Sequence, residues 1–414
     1  MNLVIINNLP KFSDAARWDF ELVCYEADID HTEHQLSYFI NERGRSGVTA
    51  PANTYQLYVL ATLSDADLYR PHLTAITSKL GQIDRLIVFA EGLQDVAAQL
   101  RDEFGIPGNG VETNRLGRNK LLMKQKVAAA QLRAPRYQAA SADQSAAALL
   151  FAEQNGYPLI LKPVDGQSSA GVLKIENQQH LQTAIAAIPP GVSHDLEEFI
   201  DGVLFHVDGL IDAAGQVVFV VPSRYINPCF DFSLGAPLGA IMLDPTTALY
   251  HDVCRFSVSC LQAIGLKACP FHLELFQKSD GELVFLEVGA RVGGADVPYV
   301  IHRTCGVNLF SEWIKMILGQ TPPTIPAPSL LGAWLMFPRP ATLPVRVKSV
   351  TDFTGQLDSL DRQLVPTPGE LLQHEEGYCS MQSGRFLFCA ESVAQVSQDV
   401  ETVLRDFCLD TASL

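Results

Sequence analysis

The chain has 414 residues, 47% hydrophobic and 18% charged, which is too apolar for a disordered protein and enough for a large core spread over roughly two to four structural units. With 30 basic and 46 acidic residues its formal charge is −16. That excludes the broadly basic surface of a nucleic-acid binder and leaves room only for a local basic pocket.

The opening run "MNLVIINNLPKF" has no basic leader before its short apolar stretch, so no signal peptide is expected. Apolar runs such as "LLGAWLMF" (330–337) fall well short of the ~20 residues of a membrane span. The nine cysteines are odd in number and scattered, with no C-x-x-C pair, and read as free thiols rather than disulfides or a zinc site. A soluble cytoplasmic protein is the expectation, with no membrane and no nucleic-acid partner.

"NLVIIN", "YQLYVLATL" and "DRLIVFA" read as buried strands. After them Leu93, Val96, Ala97, Leu100 and Phe104 recur at helical spacing, closed by Gly105. This rhythm predicts a small parallel α/β domain over about 1–113. A helix is expected from Asn119 to about Leu132. Ser141 and Gln144 form the pattern of a capping box, before a helix that Gly156 and Pro158 end. "LILKPV" and "GVLKIE" read as strands joined by "DGQSSA", followed by a helix near Gln178–Ala187 and strands in "HDLEEFIDGVLFHVDGLID" and "QVVFVVPSRY". "CPFHLELFQKSDGELVFLEVGARVGG" (269–294) has the pattern of a hairpin turning at Asp280-Gly281. An amphipathic helix, "GVNLFSEWIKMILGQ", stops at a proline cluster; Pro322 to Pro328 is the best linker candidate. The rest, 321–414, reads as a mixed strand region ending in the helix "SVAQVSQDVETVLRDF".

Three stretches could carry chemistry. In "KPVDGQSSAGVLK", Gly166 and Gly171 match the spacing that opens a Walker A loop, but Val172 and Leu173 stand where Lys and Ser or Thr are required. It is no P-loop. A Gly/Ser hairpin can still wrap phosphates with backbone N–H groups and the Ser168 and Ser169 hydroxyls, with Lys162 beside it; a surface hairpin with a snorkelling lysine is the other reading. In the 269–294 hairpin, a two-residue turn sets Leu273 against Val288, Leu275 against Leu286, Phe276 against Phe285, and Glu274 against Glu287. Facing carboxylates destabilise a sheet. A hard divalent cation, a shared proton, a pairing with Arg291 or a solvated face would each resolve the clash. Weaker signals are Lys120 at a basic helix start, readable as a solvated face, and "LEEFIDG" (196–202), readable as an edge strand.

Taken in order, these segments resemble the ATP-grasp superfamily of carboxylate–amine ligases, over about 115–320. "YPLILKPVDGQSSAG" and "LELFQKSDGELVFLEVGARVGG" are the specific parts, and "EVGARVGG" looks most like the branch containing L-amino acid ligases. The resemblance implies an N-terminal α/β domain (1–113), an ATP-grasp domain of two α+β subdomains clasping ATP (114–320, with a lid subdomain at about 119–195) and a mixed C-terminal region (321–414). It implies ATP as substrate and Mg²⁺ or Mn²⁺ on Glu274 and Glu287. Lys120 and Lys162 would contact phosphates under the loop of Gly166, Gln167, Ser168, Ser169 and Gly171. Glu197, Glu198, Phe199 and Ile200 would flank adenine, and Arg291, with Lys162, would serve catalysis. Arg224 is the carboxylate clamp suggested by "VPSRYINPCFDFSLGAPLGA", with Gly293 and Gly294 near the substrates. Two positions depart from the pattern: Leu204 stands where relatives carry a ribose-binding carboxylate, and Gly289 where a metal-binding asparagine often stands. The implied reaction joins small amino or carboxylic acids through an acyl phosphate. A biotin-carboxylase-like or purine-pathway ligase, a non-catalytic nucleotide sensor and a carrier-protein acceptor are the alternatives; relatives are often homodimers.

Overall fold

The computed structural model describes residues 1–12, 17–167, 170–232, 234–321, 325, 328–374 and 382–413. Ser168, Ser169 and most of the expected linker at 322–328 lie outside them. Among the described residues the strands form four sheets. The first is parallel, in the order Gln56–Val59, Gln35–Ile40, Asn2–Asn7, Arg85–Val88. Asn2–Asn7 is buried along its whole length, as a central parallel strand covered on both faces must be. The expected strand in "YQLYVLATL" is only Gln56–Val59 and forms a half-exposed edge, since it has a single neighbour. Gln35–Ile40 pairs with both and was not anticipated. Gly105 closes the helix Gln94–Phe104 at φ 61, a left-handed position suited to glycine.

The small antiparallel sheet runs Tyr137–Ala140, His194–Glu198, Leu159–Pro163, Leu173–Ile175. Its one face packs on helices Ser145–Asn155 and Gln178–Ala186 around Leu161, Ile175, Leu181 and Leu196. The expected capping box does not form: residues 142–144 make a separate 3₁₀ turn, and Ser141 accepts from the Gln144 N–H through its main-chain carbonyl. His194–Glu198, readable as an edge, is an inner strand.

The largest sheet is eight-stranded and runs Leu283–Gly289, Cys269–Gln277, Val203–Ile211, Val217–Tyr225, Leu238–Met242, Leu331–Pro338, Gln382–Ala390, Leu360–Leu364. It continues past residue 320, because Leu238–Met242 pairs with Leu331–Pro338. Beneath its first strands lie helices Lys120–Ala129 and Ala248–Ile264, sharing a core with Leu273, Leu275, Phe285 and Val288. A three-stranded sheet (Leu371–Leu372, Val345–Val350, Leu409–Ser413) completes the C-terminal region. Among the described residues no helix is long and apolar enough to cross a membrane, and the eight described cysteines are unpaired.

Candidate active site

The small sheet and the first strands of the large sheet face each other across a cavity of about 500 Å³, lined among others by Lys120, Lys162, Glu197, Phe276, Glu274 and Glu287. The hairpin brings the two glutamates there by a route different from the expected one. The turn holds three residues, not two: Lys278 and Glu282 pair, and Gly281 sits at φ 88. A three-residue turn alone would set Glu274 against Leu286. One bulge, between Glu274 and Leu275, corrects the register, so Glu274 does face Glu287 and Leu273 faces Val288. Between bulge and turn the expected pairs fail: Leu275 faces Phe285 and Phe276 faces Val284. Phe285 therefore points into the core beneath the sheet, while Phe276 and Leu286 line the cavity.

Glu274 accepts a hydrogen bond from the Tyr225 hydroxyl on Oε1 at 2.8 Å, and His272 Nε2 lies 3.6 Å from the same oxygen. Burial would raise its pKa, but the contacts from His272 and Tyr225 hold the carboxyl down at about 2. His272 is in turn oriented by the buried Asp208, which also binds His206. Gly293 must lack a side chain here, since a Cβ would sit 2.4 Å from Asp208 Oδ1. Gly294 has open space around it.

On the opposite wall, Lys162 lies on the inner strand of the small sheet and is turned inward, not snorkelling. Its Nζ is 2.8 Å from Glu197 Oε1 and 3.9 Å from Glu287 Oε2. Burial works against the ammonium, yet the charges of Glu197 and Glu287 hold it above the ordinary lysine value. Lys120 is also buried rather than solvated: Nζ donates to the Gly166 carbonyl at 2.6 Å and lies 3.4 Å from Glu287 Oε2. Asn119 caps its helix by accepting from the Leu122 N–H, which fixes where Lys120 emerges. Glu197, Glu198, Phe199 and Ile200 belong to the hinge, the stretch that leads from His194–Glu198 of the small sheet to Val203–Ile211 of the large one, and line the cavity, as do Gln167 and Leu204. The Glu198 carboxylate takes no part in the lysine cluster; Arg133 and Arg136 hold it.

Arg291 does not pair with Glu287. Its Nε donates to Glu91 Oε2 at 2.6 Å, and Arg118 binds the other oxygen of Glu91 at 2.7 Å. Glu91 opens the 3₁₀ turn Glu91–Leu93 after the parallel sheet's last strand, so this contact joins the N-terminal unit to the segment that follows the hairpin; Arg291 itself is not among the residues lining the cavity. Arg224 is misplaced as a clamp: alternation along Val217–Tyr225 buries Ser223 and Tyr225 on the cavity side and leaves Arg224 exposed on the other face. The stretch around it does reach the cavity, through Pro228, Cys229, Phe230, Asp231 and Leu234. Sequence reasoning missed Glu91, Arg118, Lys124, Asp195, Asp208, Tyr225 and the two histidines. A buried-looking H-x-E alternation at 272–274 was the only local signal for any of them.

Buried lysines facing carboxylates in one cavity have the composition that binds a polyphosphate with a hard cation. Residues 155–298 match the family model described as ATP-grasp domain. An L-arginine-specific L-amino acid ligase of Bacillus subtilis is 24% identical over 368 residues, 85% of this chain and 86% of that one. A D-alanine–D-alanine ligase of Xylella fastidiosa is 32% identical over 238 residues, 56% of this chain and 77% of the relative. Among solved structures, the L-amino acid ligase from Bacillus licheniformis superposes with a TM-score of 0.71 at 18% identity, covering 100% of this chain and 99% of that one. The protein is thus a nucleotide-dependent ligase by class. The chain belongs to the ATP-grasp family, and its reaction is ATP-dependent amide-bond formation.

Proposed function

We propose that the chain joins the carboxylate of one small amino or carboxylic acid to the amine of a second amino acid, with Mg²⁺ held by Glu274 and Glu287. The observation that carries this is the pair of facing carboxylates beside two buried lysines in one cavity. Oxygen donors suit a hard cation, and the contacts of Tyr225 and His272 fall on Oε1 of Glu274, leaving Oε2 to a further partner. Held by Glu274 and Glu287, the ion would supply positive charge that offsets that of the phosphates.

Lys120 and Lys162 would hold the ATP phosphates, helped by N–H groups of the Gly166–Gly171 loop. The main chain at 197–200 would meet the adenine. A substrate carboxylate oxygen attacks the γ-phosphorus, the bond to the β-phosphate oxygen breaks, and ADP leaves. The amine nitrogen of the second substrate then attacks the acyl carbon; the C–O bond to phosphate breaks and the amine's proton is lost to solvent. Arg291, released from or shared with Glu91, would stabilise charge on the transferred phosphoryl group. The test is phosphate release from ATP and Mg²⁺ with the twenty amino acids singly and in pairs, read with product mass spectrometry. A dipeptide mass with one phosphate per product is expected. Turnover that requires bicarbonate, or nucleotide binding with no product across the panel, would overturn the reading.

A further inference from the structure

Lys124 lies one helical turn after Lys120, is 0% exposed, and does not line the cavity. Such a lysine is rare unless paired. Here Nζ is bonded to both Asp195 Oδ2 and Glu197 Oε2. The two carboxylates are neighbours because Asp195 and Glu197 alternate on one face of the hinge strand His194–Glu198, with Leu196 on the other face in the core. In register, Asp195 pairs with Lys162 itself. The Tyr137 ring lies 5.5 Å from the Lys124 ammonium and closes its side. Glu197 is therefore shared: Oε2 faces Lys124 and Oε1 faces Lys162.

We infer that Lys124 is a positioning residue for ATP, acting through Glu197 on Lys162; the inference rests on the nucleotide reading above. Three ammonium groups (Lys120, Lys124, Lys162) meet three carboxylates (Asp195, Glu197, Glu287) in one buried cluster, of which all but Lys124 and Asp195 line the cavity. Removing Lys124 leaves two cations against three anions. Lys162 is then drawn onto Glu197 and Asp195, and the cluster turns net negative where phosphates must sit. Charge effects of this kind are strong because the cluster is buried. The effect falls on the phosphate end and spares the base, which meets the main chain of the hinge.

The experiment measures displacement of a fluorescent ADP from the full chain by ATP, ADP and adenosine, with thermal melting in parallel. The variants are Lys124→Met and the charge-balanced pair Lys124→Met with Asp195→Asn. Lys124→Met is expected to weaken ATP and ADP by more than about tenfold while adenosine changes by less than about twofold. The double variant is expected to return ATP to within about threefold of wild type. If folded Lys124→Met binds ATP as wild type does, or loses adenosine as much as ATP, the inference falls. Should Lys124→Met not fold, the folded double variant decides alone: near-wild-type ATP affinity supports the charge account and a loss equal to that of a Lys162→Met control overturns it. Wild-type protein that fails to bind the ADP probe would instead overturn the nucleotide reading itself.

Discussion

On the small-sheet wall of the cavity, Lys162 and Glu197 meet at 2.8 Å, and Lys124 bonds both Asp195 and Glu197 behind them. On the large-sheet wall, Glu274 and Glu287 stand opposite each other; His272 of the same strand lies 3.6 Å from Glu274, and the lysines near Glu287 come from outside the sheet, Lys120 from the helix beneath it and Lys162 from across the cavity. The first cluster matches two lysines with two carboxylates, and the second sets two carboxylates face to face, with the lysines near Glu287 supplied by other elements. A wall of the first kind is built to hold its groups in place before anything binds. Facing carboxylates are unfavourable in a sheet by themselves, and a ligand that brought further positive charge would offset them.

The sharpest way to break this comparison is Glu287→Gln. It should lower turnover by on the order of 100- to 1,000-fold while leaving the melting temperature close to wild type. Steady-state rates across a Mg²⁺ titration check it, and near-normal activity would remove the metal assignment. Lys162→Met touches the other wall. Its expected signature is a roughly 10- to 100-fold loss of ATP affinity, from the loss of charged hydrogen bonds, and it is read by equilibrium binding without any acid or amine present.

The joint between the walls is tested by Gly202→Ala. A Cβ there would lie 2.5 Å from the Gln277 carbonyl oxygen, a backbone atom that cannot step aside. Overpacking of this kind costs about 1–3 kcal/mol, measurable by urea unfolding. A variant as stable as wild type would show that the hinge sits farther from the hairpin.

Glu198 supplies a pH test. Burial raises its pKa, but the Arg136 N–H and the two guanidinium groups outweigh that and hold it below the usual carboxylate range. A carboxylate depressed in the folded state adds stability above its unfolded pKa and loses it as pH falls through the folded value. Glu198→Gln should therefore flatten the acid side of the melting-temperature profile and matter least below that range. An unchanged slope would mean the arginines do not hold it in solution. The smallest effect is expected from Arg224→Ala, which should leave substrate KM within about twofold, since the residue faces away from the cavity. A large KM rise would restore it as a clamp.

The hairpin shows both how far the sequence can be read and where it stops. The facing of Glu274 and Glu287 was legible, yet only because two departures cancel: a turn one residue longer than Asp-Gly suggests, and a bulge of one residue that restores the register. Phe285, lying between the two, faces Leu275 rather than the expected Phe276 and so turns into the core. The pairing of the Lys162 strand, Leu159–Pro163, with Leu173–Ile175 was legible because the two strands and the glycines between them lie close together in the chain. Glu91 was not, since its bond to Arg291 spans 200 residues and nothing local marks it. Lys124 was hidden for another reason: a lysine in a basic helix reads as solvated until the packing of the hinge strand against that helix is known. Arg224 failed because alternation says that neighbours face opposite ways without saying which way faces the ligand.

The account turns on activation of a carboxylate by phosphoryl transfer, and isotope transfer reads that step directly. With the substrate pair that supports turnover, the acid would carry ¹⁸O in its carboxylate, and the released phosphate would be analysed by mass. One ¹⁸O atom carried from each labelled carboxylate into the phosphate is the predicted result, since the attacking oxygen leaves with phosphorus. Product formed with unlabelled phosphate would contradict the account, because the acid would then have been activated at some other group.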